Sequence, residues 1–482
     1  MNPDVAALVA EGIDIDKIMG AAVTAAEKKS KLQPVYLKRD SFAAYAIHTG
    51  SLWLDLIMGG GIPPSRIVGI SGPEHSGKSL LATEIIANQL RAGRHAFYKD
   101  AEGGSDPLFL KSRGIDFDLF RGKRDKKGKL KDGERDLIHY YQPTTGDEVL
   151  HFIHELAAKL PENRTPTFPT ALITLDSVVA LVTDAVSDDI DSNRMAMHAK
   201  MYSEMLPIIN SNLIRTGCSF IYTNQIRQKP MASKYENPDY EPCGSALRYF
   251  ASIRLRLSAS KPKFGDNDHP FADKDKGFIK DAAPKAGGVW EEPHYDSEGQ
   301  EVGLDRYTYT AIRTVKNKVY NPFKVCWIRT QFEENGSTGR GLDKVFDVFS
   351  FLHQVGLIKP AVLTAEEKAA KVKVEAVKGR YEPVAGSPVD LVALGMPKRW
   401  TYQQFKKWIN ETPSIVMVLR DKLLVSGWAF NNLESTPDHE AERQSEQDET
   451  ETAPVSPSPL PPLPPPILAT PPPVMPSPPA PA

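Results

Sequence analysis

Gly72-Pro73-Glu74-His75-Ser76-Gly77-Lys78-Ser79 lies between a short apolar run (Ile67, Val68, Ile70) and apolar residues at helical spacing (Leu81, Ala82, Ile85, Ile86, Leu90). The pattern predicts a strand that turns into an amphipathic helix through a G-x-x-x-x-G-K-S phosphate loop. Wrapping a chain around a phosphate with its N–H groups inward needs backbone angles open mainly to glycine, which Gly72 and Gly77 supply. Lys78 brings a cation for the β and γ phosphates, Ser79 a hydroxyl for Mg2+, and the helix N-terminus its positive dipole end. An incidental lysine after a glycine-rich turn is the bland alternative; the full string in register, with both flanks, argues against it.

Working outward, 482 residues leave room for two or three cores, and 41% hydrophobic with 25% charged residues is ordinary for a globular chain. A formal charge of −2 argues against coating of nucleic acid by bulk electrostatics, so any such contact falls to local basic loops. Cys218, Cys243 and Cys326 are widely spaced and form no C-x-x-C pair, which points away from a disulfide framework or zinc site and fits a reducing cytoplasm. Residues 1–30 carry Asp4, Glu11, Asp14 and Asp16 among alanines, unlike a signal peptide. No uncharged apolar run nears membrane-spanning length, so no membrane is expected. Helices are expected instead at 5–11 and 15–27, either capping their own domain or packing on a neighbouring subunit.

A glycine turn, Gly59-Gly60-Gly61, feeds the first core strand. A second strand, 95–99, is expected next to the phosphate strand and ends in Asp100-Ala101-Glu102. A carboxylate at that position suits activation of a water, which makes Glu102 the candidate, although a solvated turn carboxylate is the commoner fate of such a residue. The β-branched run 170–175 ends at Asp176-Ser177, a pattern that presents an aspartate to Mg2+-bound water, and a fourth strand, 219–223, ends in Asn224-Gln225. Four strands are thus expected to bring Lys78, Glu102, Asp176 and Gln225 to their carboxyl ends, where ligands bind in open α/β sheets.

The strings that follow one another along the chain are Thr49-Gly50-Ser51-Leu52, the phosphate loop, Asp100-Ala101-Glu102, Asp106-Pro107, Gln142-Pro143-Thr144-Thr145-Gly146, Leu175-Asp176-Ser177-Val178, Asn224-Gln225-Ile226-Arg227, residues 246–252 and Val315-Lys316-Asn317-Lys318. In that order the chain resembles the RecA-type recombinases, ATP-dependent strand-exchange proteins, from about residue 47 to 330 and more weakly to 433. The resemblance implies ATP and Mg2+ as cofactors, Glu102 positioning the attacking water, Asp176 organising Mg2+, and Gln225 sensing the γ-phosphate and coupling it to the loop behind. It places Asp106 and Phe109 at the adenine, with a phenylalanine where tyrosine is common. Lys316 and Lys318 resemble a lysine pair that reaches across a subunit interface to the neighbour's ATP; a basic hairpin tip is their bland alternative. A comparable cation supplied in trans is worth about 10³ to 10⁵ in rate in GTPases.

Two segments resemble the family's DNA-binding loops. The first, 186–197, holds Arg194 and Met195 but also Asp188, Asp189 and Asp191; the second, 226–243, holds Arg227, Lys229, Lys234 and Tyr235, and Pro230, Pro238 and Pro242 stiffen it. If Arg194, Lys200, Arg227, Lys229 and Lys234 contact phosphates, one copy has a salt slope of roughly −2 to −3.5 on single strands, and useful affinity requires many linked copies. The expected partners are therefore single-stranded DNA, a homologous duplex, and further copies in a helical filament. Tyr235 or Met195 is a candidate wedge between bases, with core packing as the alternative.

Together these features predict an α/β chain with a RecA-type phosphate-loop ATPase core and a mainly parallel central sheet, an N-terminal helical arm, a small α+β C-terminal domain and a disordered tail. The expected divisions are an arm at 1–34, a core at 35–332, a C-terminal domain at 333–433 and a tail at 434–482. Within the core, 121–135 is a basic insertion expected as a solvated hairpin, with an auxiliary DNA contact as the lesser reading, and 258–305 is expected as a long polar loop region. Residues 343–357 are expected as a helix and 365–378 as a charged helix. The tail is acidic, then proline-rich, and suits a linker or partner ligand. A ring-forming helicase-like ATPase and a non-catalytic ATP-binding filament or mediator protein are the alternatives.

Overall fold

A computed structural model describes residues 46–161, 170–181, 194–228, 239–259, 289–295, 300–334, 337–370, 373 and 379–426. The N-terminal arm, residues 186–193 of the first loop, Lys229, Lys234, Tyr235 and the tail lie outside the described residues.

The chain enters through a short helix, α1 (Leu52–Met58), that apolar periodicity did not announce. Ser51 caps it, its own side-chain oxygen accepting from Leu54 N, and Gly59 stops it at φ 91, a left-handed angle that suits glycine. Strand β1 (Ile67–Gly72) is buried throughout and runs through the phosphate loop into α2 (Lys78–Arg91), whose Leu81, Ile85, Ile86 and Leu90 face the core as their spacing predicts. There follow β2 (His95–Asp100), α3 (Pro107–Ser112), α4 (Phe117–Phe120), β3 (Ile138–Tyr141), α5 (Gly146–Lys159), β4 (Ala171–Asp176), α6 (Arg194–Thr216), β5 (Ser219–Gln225), the two-residue strands β6 (Arg227–Gln228) and β7 (Asp239–Tyr240), α7 (Ser245–Phe250) and β8 (Ile253–Ala259). The remainder is β9 (Val289–Tyr295), β10 (Glu301–Asn317), β11 (Val325–Glu334), β12 (Ser337–Leu342), α8 (Lys344–Gln354), β13 (Ile358–Pro360), α9 (Ala365–Ala369), β14 (Arg380–Pro383), β15 (Trp400–Thr401), α10 (Tyr402–Glu411) and α11 (Ile415–Val425).

The main sheet runs β12-β11-β10-β8-β1-β5-β4-β2-β3, with β9 paired to β10. From β8 to β3 the pairings are parallel; those of β9, β10, β11 and β12 are antiparallel. The expectation that β2 sits next to β1 is corrected: β5 and β4 lie between them. Burial orders the strands, since β1 and β4 are wholly buried and β5 nearly so, whereas β3, Ile-His-Tyr-Tyr, tolerates the edge.

Three further expectations change. Residues 289–295 and 301–305 are strand, not loop: β9 and the first part of β10 form an antiparallel ladder, with Asp305, Tyr307 and Tyr309 buried at alternate positions. A strand rich in Tyr, Thr and charge reads as polar loop unless its period of two is weighed. Arg194 to Met197, assigned to the first DNA loop, and Lys200 belong to α6, because Met201, Leu206, Ile209 and Leu213 carry a helical stripe that begins there. The described part of the charged 365–378 segment is helical only over α9, where Thr364 and Glu367 form a capping box.

Alternate residues of the strands point to two apolar clusters. One packs α5, α6 and α7 on one face, through Val149, Ile153, Leu206, Ile209 and Leu247. The other packs α1 and α2 and continues into α8, α10 and α11. Phe349 sits within 5.0 to 6.1 Å of the rings of Tyr381, Trp400, Tyr402 and Phe405, mostly edge-on. With the small sheet β13-β14-β15, these helices make the α+β portion that follows the main sheet.

A buried polar cluster ties that portion to α1. Asp347 of α8 accepts from Ser51 Oγ and Leu52 N, each at 2.5 Å, while Asp55 accepts from Thr49 N at 2.9 Å and Thr49 Oγ1 at 2.6 Å and pairs with His48. Arg420 of α11 donates to Gly60 O at 3.3 Å and lies 3.9 Å from Asp55. Burial pushes the Asp347 carboxyl up to about 7, against the pull of its two donors. The folded chain therefore holds a proton that the unfolded chain releases above about pH 4, so the Asp347 contribution is present in acid and lost as pH rises through about 7. Asp347→Ala is expected to cost about 2–4 kcal/mol in denaturant unfolding, because Ser51 and the α1 N-terminus lose their acceptor in a dry site. Asp347→Asn is expected to flatten the decline of the unfolding midpoint between about pH 4 and 7; an unchanged decline means another group titrates there.

Candidate functional site

The phosphate loop is shaped by what does not fit. A Cβ on Gly72 would stand 2.5 Å from Ser76 Oγ and 2.7 Å from Leu257 O, and His75 and Gly77 take left-handed angles of φ 58 and φ 87. Ser76 Oγ donates to Pro73 O at 2.8 Å, closing the turn. Lys78 Nζ curls back to donate to Pro73 O at 2.7 Å and is buried, which lowers its pKa, while Asp176, Glu102 and Glu74 oppose that shift. No side chain caps α2, since Gly77 is its N-cap, so the first-turn N–H groups face the loop's concavity. An anion seated there meets backbone donors, a helix N-terminus and a lysine together.

Across from it, β2 and β4 end in register, Asp100 beside Asp176. Asp176 accepts from Thr223 Oγ1, from Ser79, and from the Tyr98 hydroxyl at 3.4 Å. Burial raises its pKa, the hydroxyls of Thr223 and Ser79 lower it, and the charges of Glu102 and Asp100 add to the rise. Ala101 N donates to Asp176 O at 2.6 Å, and Glu102 Oε1 accepts from Ser177 Oγ at 2.8 Å, so Glu102 is held beside Asp176 despite its exposed position. Asp100 braces the turn that carries Glu102 by accepting from Gly103 N (2.9 Å), Ser105 N (3.0 Å) and the Tyr140 hydroxyl (2.9 Å). Tyr98, Asp100, Tyr140, Ser177 and Thr223 were not singled out from the sequence; only Asp100, Ser177 and the strand-end position of Thr223 carried a signal, by lying in or beside the quoted strings. Gln225 stands in register with Gly72, and Ile226 N donates to Gly72 O at 3.1 Å, which sets the end of β5 alongside the phosphate loop.

Lys78, Ser79, Glu102, Asp176 and Gln225 are thus brought to one edge of the sheet. The other named residues stand apart. Asp106 caps α3, accepting from Leu108 N at 2.7 Å and Phe109 N at 3.2 Å, and Phe109 lies half-exposed with the Arg113 guanidinium 5.1 Å from its ring centre. Lys316 donates to the Arg248 and Tyr249 carbonyls at 2.8 and 3.0 Å, and the Lys318 ammonium lies 5.8 Å from the Tyr249 ring centre. Because β10 runs against β8, with Lys316 opposite Arg254 and Asn317 opposite Ile253, both lysines sit at the amino end of the parallel strands, away from Gly72. Arg194 and Met195 open α6, and Lys200 projects from it 3.9 Å from Glu204. Arg227 is exposed on the β6-β7 ladder opposite Tyr240, and the foot of that ladder is pinned to β8 by Arg254–Glu241 at 2.9 Å and Arg256–Asp239.

The residues present fit a Mg2+ nucleotide. Mg2+ takes one or two carboxylates with water and phosphate oxygens, and Asp176 with Ser79 is a donor set of that kind. Among the described residues no cluster of three or more His, Cys, Asp or Glu side chains forms a metal cage, and no helix is long and apolar enough to cross a membrane.

The family described as RecA N-terminal domain matches residues 17–130 and 133–275, just over half of the chain. Among curated relatives, Protein RecA of Thermosynechococcus vestitus is 34% identical over 218 residues, 45% of this chain and 54% of that protein. Protein RecA of Thermus aquaticus is 30% identical over 319 residues, 65% of this chain and 73% of that protein, and Protein RecA of Trichodesmium erythraeum is 27% identical over 314 residues, covering 65% and 68%. The chain thus spans about half the length of the first of these relatives and about two thirds or more of the others. Since the matched span takes in the strand ends that hold Lys78, Glu102, Asp176 and Gln225, the chain belongs to the RecA family.

Proposed function

We propose that this chain is an ATP-dependent homologous recombination and DNA repair protein that assembles as a helical filament on single-stranded DNA and pairs it with a homologous duplex. Bound Mg2+-ATP supplies the γ-phosphoryl group that passes to water. Lys78 and the first-turn N–H groups of α2 hold the phosphates, Asp176 and Ser79 hold the cation, and Glu102, steadied by Ser177 and the Asp100 brace, orients the water and takes its proton. Gln225 links the phosphate end to the β6-β7 ladder that follows it, and Asp106 with Phe109 contributes to the adenine pocket. Arg194, Met195, Lys200, Arg227, Lys229, Lys234 and Tyr235 contact the single strand. Residues 1–34 serve as the arm that joins copies, and 333–433 as a domain following the core.

One observation carries this reading. Lys316 and Lys318 lie at the end of the sheet remote from the phosphate loop of their own copy, with Lys318 exposed. Cations so placed serve a neighbour's phosphates, and hydrolysis then belongs to the seam between copies.

The trans arrangement is tested by mixing. Lys78→Ala and the double variant Lys316→Ala/Lys318→Ala are each expected to lose DNA-stimulated ATP hydrolysis; an equal mixture regains part of it, because a seam can pair an intact loop with intact lysines. A mixture as inactive as its components sinks the seam. Glu102→Gln is expected to keep nucleotide binding and filaments visible by electron microscopy while turnover falls about 10² to 10⁴-fold; equal turnover removes Glu102 from the chemistry.

A further inference from the structure

Residues 121–135 lie between α4 and β3, and the family match breaks within them, at 131–132. The segment is built rather than loose. Lys131 N donates to Lys123 O at 3.0 Å, Asp125 N to Lys129 O at 2.8 Å, and Arg124 and Leu130 form an antiparallel bridge. Its foot is closed by Leu137 N to Phe120 O at 2.9 Å and by Arg124 to Asp136 at 2.6 Å.

The placement of its acids decides what faces outward. Asp125 accepts from Lys127 N and Lys129 N at 2.8 and 3.0 Å, Glu134 from Lys123 N at 3.1 Å, and Asp136 from Gly122 N at 3.0 Å. Those carboxylates are spent on the hairpin's own backbone and on Arg124, which leaves Asp132 as the exposed acid beside five exposed lysines. Lys123, Lys126, Lys127, Lys129 and Lys131 are all exposed, and their ammonium groups have no ion-pair partner among the described residues. The chain as a whole carries −2, so this is a local excess of positive charge on a rigid support.

We propose that this hairpin is a second nucleic-acid surface, one that grips the sugar-phosphate backbone of duplex DNA; the proposal rests on the recombinase reading above. The segment has no aromatic residue with which to stack unpaired bases, unlike single-strand platforms. It also has no Trp, Tyr, Phe or Met to anchor a protein interface, and its one apolar residue, Leu130, packs back toward Gly122. Lysines act on phosphates as point charges without base readout, so the grip is independent of sequence. The hairpin precedes β3 and so stands at the amino end of an edge strand, whereas the phosphate loop and the single-strand segments follow the carboxyl ends of β1, β4 and β5. A duplex held here is kept off the single-strand segments.

The test uses the full chain and Lys126→Gln/Lys127→Gln/Lys129→Gln, whose side chains support no fold contact. Binding of a labelled duplex of unrelated sequence is followed against KCl, alongside single-strand-stimulated ATP hydrolysis. The variant is expected to lose about 2 to 3 units of the slope of log affinity on log salt for duplex, with stimulation by single strands unchanged. An unchanged duplex slope with normal stimulation overturns the hairpin proposal alone, as does capture of polyglutamate, rather than duplex, that depends on these lysines. Wild-type protein that binds no DNA and shows no stimulation overturns the recombinase reading and the hairpin with it.

Discussion

Asp100, Glu102 and Asp176 meet at the ends of two neighbouring strands, the latter two close to one buried lysine, Lys78. Like charges in a partly dry site repel, and burial already drives Asp176 toward its neutral form. The arrangement persists because each carboxylate is assigned donors: Thr223, Ser79 and Tyr98 to Asp176, two backbone N–H groups and Tyr140 to Asp100, and Ser177 to Glu102. A divalent cation and a phosphate complement the two halves, acids on one side and Lys78 with uncapped N–H groups on the other. The site is therefore a preorganised charge separation.

Holding that separation requires strand ends that do not move. The central strands, buried on both faces, supply this, and the helices of the two apolar clusters clamp them from either side. The cluster that carries α2 also carries Phe349, Trp400, Phe405 and Leu419, so packing beyond the main sheet reaches the helix that starts at Lys78. Arg420 adds a polar link, since Gly60, whose carbonyl it meets, belongs to the turn that leads into β1. A disturbance of α11 is felt first at the entrance of the phosphate strand, not at its reactive end.

What the sequence made legible follows from this. The phosphate loop, β4 and β5 were readable because each joins an apolar run to a chemically distinctive end, Gly77-Lys78-Ser79, Asp176-Ser177 and Asn224-Gln225. Strand order was not, because pairing is a long-range choice made by relative burial, and β2 alone gives no sign that β4 and β5 enter between it and β1. The hydroxyl shell was hidden for a similar reason: Tyr98, Tyr140 and Thr223 look like ordinary strand residues until four strands, β5, β4, β2 and β3, are laid side by side. α1 escaped because its residues are buried on every side, so no polar face marks a helical period. β10 escaped because its buried positions include Asp305 and Thr310, which a hydropathy reading assigns to solvent.

The same topology limits what Lys316 and Lys318 can do within one copy. β10 pairs antiparallel to β8, and β8 lies parallel to β1, so Lys316 is level with Gly69 and Lys318 is beyond it. From Gly69 to Gly72 is roughly 10 Å of strand, with two interstrand spacings of about 4.8 Å to cross as well, and the loop then continues away from both lysines. The Lys316 side chain meanwhile is turned toward the carbonyls that end α7. The strand direction thus carries both lysines to the end of the sheet opposite the phosphate loop.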